Sequence, residues 1–178
     1  RAIAAKQPWT PLPDGDVYAP EVGFSGGFPV GRDPASGQEW VAHCYGTVGV
    51  ARDVAPETGS GSSLYAVIGQ ARRLDHNLAV AGRVLEGMPL LSGLPRGPEP
   101  MGFYAKPQQR VTIESVRLAA DMPAKDRPAI QVLRTDSASF AALVEAKRNG
   151  RNAFYPRPAG KVDLCSIDVP VREAKPAH

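Results

Sequence analysis

A mainly β fold is predicted from three observations. Glycine and proline supply 18 residues each of the 178, well above the roughly 12% that the pair makes up on average. That balance favours short strands joined by tight turns over a helix bundle. The apolar residues also come in runs of strand length, bounded by polar or glycine-rich segments. Finally, the chain is 43% hydrophobic and 22% charged, enough to bury a core in the size range of one domain, roughly 100–200 residues.

Residues 1–40 carry Pro8, Pro11, Pro13, Pro20, Gly23, Gly26, Gly27 and Gly31, and they read as a loop-rich arm ending in a turn at Asp33-Pro34-Ala35-Ser36-Gly37. Trp9, Tyr18, Phe24 and Phe28 along it predict that the arm packs on a core. Trp40 to Val50 (WVAHCYGTVGV) reads as one strand-like run, and Pro56 to Ser63 as a polar, glycine-rich loop. Leu64 to Ile68 (LYAVI) and Leu78 to Leu85 (LAVAGRVL) are further strand candidates, and Gly87 to Leu94 (GMPLLSGL) fits one short helix. Val111 to Leu118 (VTIESVRL) alternates as a strand with a slip near Ser115. Ile130 to Leu133 is a short strand candidate. Asp136 or Ser137 then caps a helix running to about Asn149, where Gly150 stops it. Val162 to Val169 (VDLCSIDV) alternates as a last strand. The segment after residue 121 is expected to pack on the rest, having too few apolar residues to close a core of its own.

The net charge of +3 is small and scattered, which argues against a strongly basic nucleic-acid module. No apolar run approaches the ~18 residues that cross a bilayer. The first residue is Arg with no leader pattern before it, so the expectation is a processed chain or the later part of a longer one. Two cysteines, Cys44 and Cys165, rule out a disulfide-dense scaffold or a four-thiolate site; one bridge and two buried thiols stay equally open.

Candidate chemistry is sparse. Of the three histidines, His43, His76 and His178, only His43 has a neighbouring ligand type, Cys44, and adjacent strand residues point to opposite faces. Ser62 and Ser63 lie in a glycine loop without the strand-turn-helix elbow of a serine nucleophile, and the loop lacks the Lys-Ser/Thr pair of a phosphate loop. Lys147, Arg148, Arg151, Arg157 and Lys161 read as a solvated helix end. No metal and no cofactor is expected.

The order of motifs carries more than any one of them. Gly49-Val50-Ala51-Arg52 is followed by Gly61-Ser62-Ser63 and the strand Leu64-Tyr65-Ala66-Val67. Next come the loop Arg73-Leu74-Asp75-His76-Asn77 and Gly82-Arg83-Val84-Leu85-Glu86-Gly87-Met88, which opens the short helix. This succession resembles the second half of a cyclophilin-type peptidyl-prolyl isomerase, with its Met-Ala-Asn/Arg-Ala stretch, Asn-Gly-Ser-Gln-Phe-Phe-Ile strand, Trp-Leu-Asp-Gly-Lys-His loop and Phe-Gly-x-Val-x-x-Gly-Met helix start. There are departures. The family's Gln falls on Ser63, its second strand Phe on Tyr65, its Trp on Arg73 and its His on Leu78, while its Leu is kept as Leu74. Nothing between Arg1 and Trp40 matches the family's catalytic Arg segment or its Phe-Met-x-Gln-Gly-Gly-Asp stretch, and Arg32, read as lying in a turn, does not take the role.

The resemblance implies a cyclophilin-like antiparallel β-barrel with a short helix and a C-terminal α/β extension. It divides the chain into an aromatic arm packed on the barrel (1–40), a barrel portion (41–121) and the extension (122–178). It implies isomerisation of X-Pro bonds in polypeptide clients, assisting folding. Tyr65, Leu74 and Leu78 would form the proline pocket, the Ala51-Arg52-Asp53 backbone would run beside the peptide, and Ser63 would stand in weakly for the Gln. The catalytic residue is unknown. The alternative is a weak or inactive module that holds proline-containing segments as a chaperone or scaffold. An upstream segment is expected to complete the barrel, and a periplasmic or secreted bacterial location is expected.

Overall fold

The structure, a computed structural model, describes residues 8–174. Its strands form three antiparallel sheets. The first holds β1 (Thr10–Pro11), β2 (Glu21–Ser25), β3 (Phe28–Asp33) and β4 (Gln38–Val41), in chain order. The second holds β5 (Thr47–Val50) between β6 (Leu64–Ala66) and β7 (Val80–Arg83). The third pairs β8 (Ile130–Val132) with β9 (Val171–Glu173). Two α-helices complete it, α1 (Met88–Ser92) and α2 (Ala138–Asn149). The architecture is thus mostly sheet with few helices, and no closed barrel is formed among the described residues.

Residues 10–41 correct the reading of a loop-rich arm, because four strands lie where turns were expected to dominate. The glycines serve the hairpins. Gly26 and Gly27 take φ of 58° and 83° between β2 and β3, the left-handed pair that a tight two-residue turn requires. The second turn, Asp33 to Gly37, is where the sequence predicts it: the Asp33 side chain accepts from the Ala35 amide at 3.0 Å, and Gly37 has φ 67°. Arg32 is therefore a strand residue, not a turn residue. It is buried on β3 against Glu39 of β4, with a guanidinium-to-carboxylate distance of 2.9 Å.

The run Trp40–Val50 is two strands rather than one. The chain breaks at Ala42–Gly46, where Gly46 has φ 80° and the Thr47 hydroxyl donates to the Ala42 carbonyl at 3.1 Å. The predicted strand at Val162–Val169 is replaced by a single 3-10 turn, Leu164–Ser166, held by the Asp163 carboxylate accepting from the Cys165 amide at 2.9 Å. Its apolar residues still bury, but the pairing strand is Val171–Glu173, just after Pro170. Val111–Leu118 is exposed at every residue and belongs to no strand, against expectation. Alternation alone does not make a strand; the backbone needs a partner to receive its hydrogen bonds.

Both helices sit as predicted. The Ser137 hydroxyl accepts from the Phe140 amide at 3.2 Å, an N-cap, and Gly150 follows the last turn. Phe140 and Val144 face inward, and Phe140 meets Phe24 of β2 edge-to-face at 4.8 Å. One core cluster joins Leu12, Val22, Phe24, Ala42 and Cys44 to Phe140, Val144, Leu164, Ile167 and Val169. A disulfide between Cys44 and Cys165 crosses it, deciding between the two states left open by the sequence. Arg148 departs from the solvated helix end expected of it: it forms a two-point pair with Asp14 at 2.7 and 2.6 Å.

Candidate active site

The second sheet builds the site from its backbone outward. On β5, Gly49 faces Tyr65 of β6, and Val50 faces Leu64. The Ala51 amide prolongs the ladder by donating to the Ser63 carbonyl at 2.9 Å. On the other side the register shifts between Val48 and Gly49, and the Val50 amide donates to the Ala79 carbonyl at 2.9 Å. Gly49 is dictated by close approach: a Cβ there would collide with the hydroxyl and ring of Tyr65, which lies across it. Among cross-strand pairs on one face, a large ring over a glycine is a common solution.

Tyr65, Ser63, Ala51, Arg52 and Asp53 thus meet at one corner of the sheet. The Arg52 Nε donates to the Asn77 carbonyl at 3.2 Å, and its terminal nitrogen donates to the carbonyls of Asp53 and Val54 at 2.8 and 2.9 Å. That straps the corner to the loop carrying Leu74 and Leu78, both half-buried and linked by the Leu78 amide to the Leu74 carbonyl at 3.1 Å. Asp53 and Ser63 are exposed. All the Arg52 guanidinium contacts named here go to main-chain carbonyls. A cavity of about 810 Å³ lies elsewhere, between β8, β9 and the start of α2, lined by Leu133, Arg134, Ser137 and Val171.

Behind the corner lies a buried polar network that sequence reasoning missed. His43, 1% exposed, is fixed at both ring nitrogens: Nδ1 lies 2.9 Å from Asp75 Oδ1 and Nε2 lies 2.9 Å from the Tyr65 hydroxyl. The His43 backbone amide donates to the same Asp75 oxygen at 2.9 Å. The other carboxylate oxygen of Asp75 receives Arg72 Nε at 2.6 Å and Trp40 Nε1 at 3.3 Å. Arg72, 2% exposed, reaches on to Asp16 through both terminal nitrogens at 2.8 and 3.0 Å, the two-point geometry that best satisfies a buried guanidinium. Trp40 also meets the His76 ring at a tilt of 47°, ring centroids 3.8 Å apart.

The protonation states follow. Burial pushes the Asp75 carboxyl up, but hydrogen bonds from His43 and Arg72 outweigh it and hold the group below the usual carboxylate range. An ionised carboxylate only accepts, so Nδ1 of His43 carries the proton, and Nε2 is left to pair with the Tyr65 hydroxyl. Burial, with the negative charge of Asp75, pushes the Tyr65 phenol up, so it stays protonated. With its phenol pushed up rather than down, Tyr65 stands at the end of the Tyr65–His43–Asp75 line as a hydrogen-bonding hydroxyl and not as a phenolate. Ser63, exposed in its loop, sits no closer to such chemistry. Among the described residues no group of three or more His, Cys, Asp or Glu side chains is arranged to hold a metal ion.

The signals for this network lay in the loop Arg73–Asn77 and its flank. Arg72 and Asp75 are spaced i, i+3 as an ion pair, whereas His43 has no local partner except Cys44 beside it. A three-way contact of His43, Asp75 and Tyr65 spans 32 and 22 residues of chain, a distance that no local pattern encodes.

Comparison with known proteins fits this geometry. No curated protein matches the sequence. A crystal structure of the cyclophilin AquaCyp293 from Hirschia baltica superposes with a TM-score of 0.68 at 22% identity, covering 98% of this chain and 64% of that one. The chain therefore spans less than two thirds of that relative's length, and the likeness establishes the fold. The sequence profile described as cyclophilin type peptidyl-prolyl cis-trans isomerase/CLD matches residues 14–118, from the loop before β2 to the end of the exposed Val111–Leu118 run. The match takes in Tyr65, Leu74, Leu78 and the whole second sheet, and on it the chain belongs to the cyclophilin-type peptidyl-prolyl cis-trans isomerase family.

Proposed function

We propose that the protein isomerises X-Pro bonds of polypeptides and so assists their folding. The observation that carries this reading is the corner of the second sheet. There Tyr65 is held across Gly49 beside the extended Ala51-Arg52-Asp53 backbone, a ring and a peptide-like edge side by side. An X-Pro bond resists rotation by roughly 18–20 kcal/mol of lost amide resonance. Catalysis therefore needs no nucleophile or metal. It needs a surface that binds the proline ring and flanking backbone, and a donor that favours the twisted, pyramidal prolyl nitrogen over the planar one. Tyr65, Leu74 and Leu78 supply the apolar surface, Ala51, Arg52 and Asp53 the backbone partner, and Ser63 a weak hydrogen-bonding side chain. The donor is not assigned: Arg32 is committed to Glu39 and stacks on Trp9 at 3.9 Å.

We divide the chain into an aromatic N-terminal portion (1–40), whose described strands lie in the first sheet, a barrel portion (41–121) and a C-terminal α/β extension (122–178). The barrel is completed by an upstream segment. The support is Val111, Ile113, Val116 and Leu118, whose exposures run from 65% to 86% in a segment the family profile includes. An exposed apolar run invites pairing. The Cys44–Cys165 bridge supports an oxidising compartment, periplasmic or secreted.

The absence of an assigned donor favours a second reading, a module that holds proline-containing segments as a chaperone or scaffold without turning them over. A protease-coupled proline-peptide assay on the intact gene product, run beside this chain alone, separates them. Acceleration by the intact product supports the isomerase, and peptide binding without acceleration by either supports the binder.

A further inference from the structure

We infer that His43 and Asp75 are positioning residues of the peptide-binding corner, holding the Tyr65 phenol in one orientation from behind. The inference rests on the reading of Tyr65 as part of that corner, and it adds two residues that touch no peptide. Asp75 is 6% exposed and both its oxygens are committed, one to the amide and Nδ1 of His43, the other to Arg72 and Trp40. Arg72 is in turn clamped by Asp16. The imidazole is therefore tied through its backbone and its ring to a carboxylate that has no freedom to move. Nε2 is left to pair with the Tyr65 hydroxyl, 2.9 Å away. The two rings lie nearly parallel, 13° apart with centroids at 6.2 Å. Gly49 leaves room for the phenol on the sheet, and the hydroxyl bond fixes where its far end points.

A phenol already ordered in the free protein spares the peptide the cost of ordering it, about 0.5–1.5 kcal/mol for a side chain of this kind. That corresponds to about 2- to 12-fold in Kd.

The test uses the full chain and the tetrapeptide Ala-Ala-Pro-Phe as probe, titrated by NMR with labelled tyrosine rings and histidine nitrogens. In the free wild type, Nδ1 of His43 should be protonated and Nε2 should show an acceptor shift, with Tyr65 ring signals of one conformation. His43→Leu and Tyr65→Phe should each raise the Kd about 2- to 12-fold, and the double variant should be no weaker than the worse single one. His43→Gln, whose amide oxygen can accept the phenol proton, should restore binding to within twofold of wild type. Additive losses, or Tyr65 ring signals unchanged in His43→Leu, overturn the inference. Where His43→Leu fails to fold, Tyr65→Phe keeps the ring and gives the comparison with His43→Gln. If the wild type binds no peptide, the peptide-site reading falls, and the relay is judged on the Tyr65 ring signals alone.

Discussion

Replacing both cysteines, Cys44→Ala with Cys165→Ala, should cost a third or more of the protein's stability margin. The bridge closes a sequence separation of 121 residues. In the chain-entropy account a loop of that length restricts the unfolded chain by about 5 kcal/mol, at the top of the range of about 2–5 kcal/mol measured when native bridges are removed. Folded domains hold only about 5–15 kcal/mol in all. The native-side loss is small by comparison, because Cys44 and Cys165 pack in the shared core and alanine keeps that contact apolar. At an m-value of about 2 kcal/mol/M in urea, the midpoint should fall by about 2.5 M, with a steeper transition because the unfolded chain is less compact. Reduction of the wild type should reproduce the shift, and Cys44→Ala alone should match it. A loss under about 1 kcal/mol, or a wild-type midpoint indifferent to reductant, would refute the assignment of the bridge as the tie between the two ends of the chain.

Asp75→Asn should destabilise by about 3 kcal/mol in urea unfolding, the scale for removing one partner of a buried ion pair, because Arg72 and His43 both lose their carboxylate. Acid should do the same to the wild type. The Asp75 carboxyl is held low in the fold, as is Asp14 through its hydrogen bond from Arg148, so their stabilisation is present above the unfolded value of about 3.9 and is lost as pH falls through the folded values below it. The wild-type midpoint should drop below about pH 4, more steeply than that of Asp75→Asn; equal slopes would count against the Asp75 contribution. Gly49→Ala should cost about 1–3 kcal/mol by overpacking and displace the Tyr65 ring, seen as loss of its fixed NMR signals; an unchanged ring would show that the close approach is not what selects glycine.

The parts of the fold legible in the sequence were those set by local chemistry. Ser137 and Gly150 bracket α2 because a cap and a stop act within a few residues. The Asp33–Gly37 turn was readable for the same reason. The hairpin at Gly26–Gly27 was hidden by prolines on either side, which made strands look like loop. Trp40–Val50 misled in the opposite direction: its apolar run continues through a break whose cause, Gly46 at positive φ, is one residue. Of the candidate site, motif order proposes Tyr65 and the Ala51–Asp53 edge, while the buried network of His43, Asp75 and Arg72 beside them has no such signal. Buried polar groups are chosen by partners distant in sequence, and each looks alone like an ordinary surface residue.

The loop before β2 explains why the C-terminal segment and the candidate site belong to one mechanical unit. Asp14 and Asp16, two residues apart, face different partners. Asp14 receives Arg148 of α2 and the Val162 amide, whereas Asp16 receives Arg72, the guanidinium that also holds Asp75. The Cys44–Cys165 bridge runs alongside, beginning one residue from His43, and Arg83 of β7 donates to the Val169 carbonyl at 3.3 Å. Three ties therefore join residues 148–169 to the elements that orient Tyr65. Two of them involve groups that are largely buried, where a missing partner is expensive. A change in the C-terminal segment would be felt first at Asp16, Arg72 and His43, and only then at Tyr65 and the corner of the second sheet.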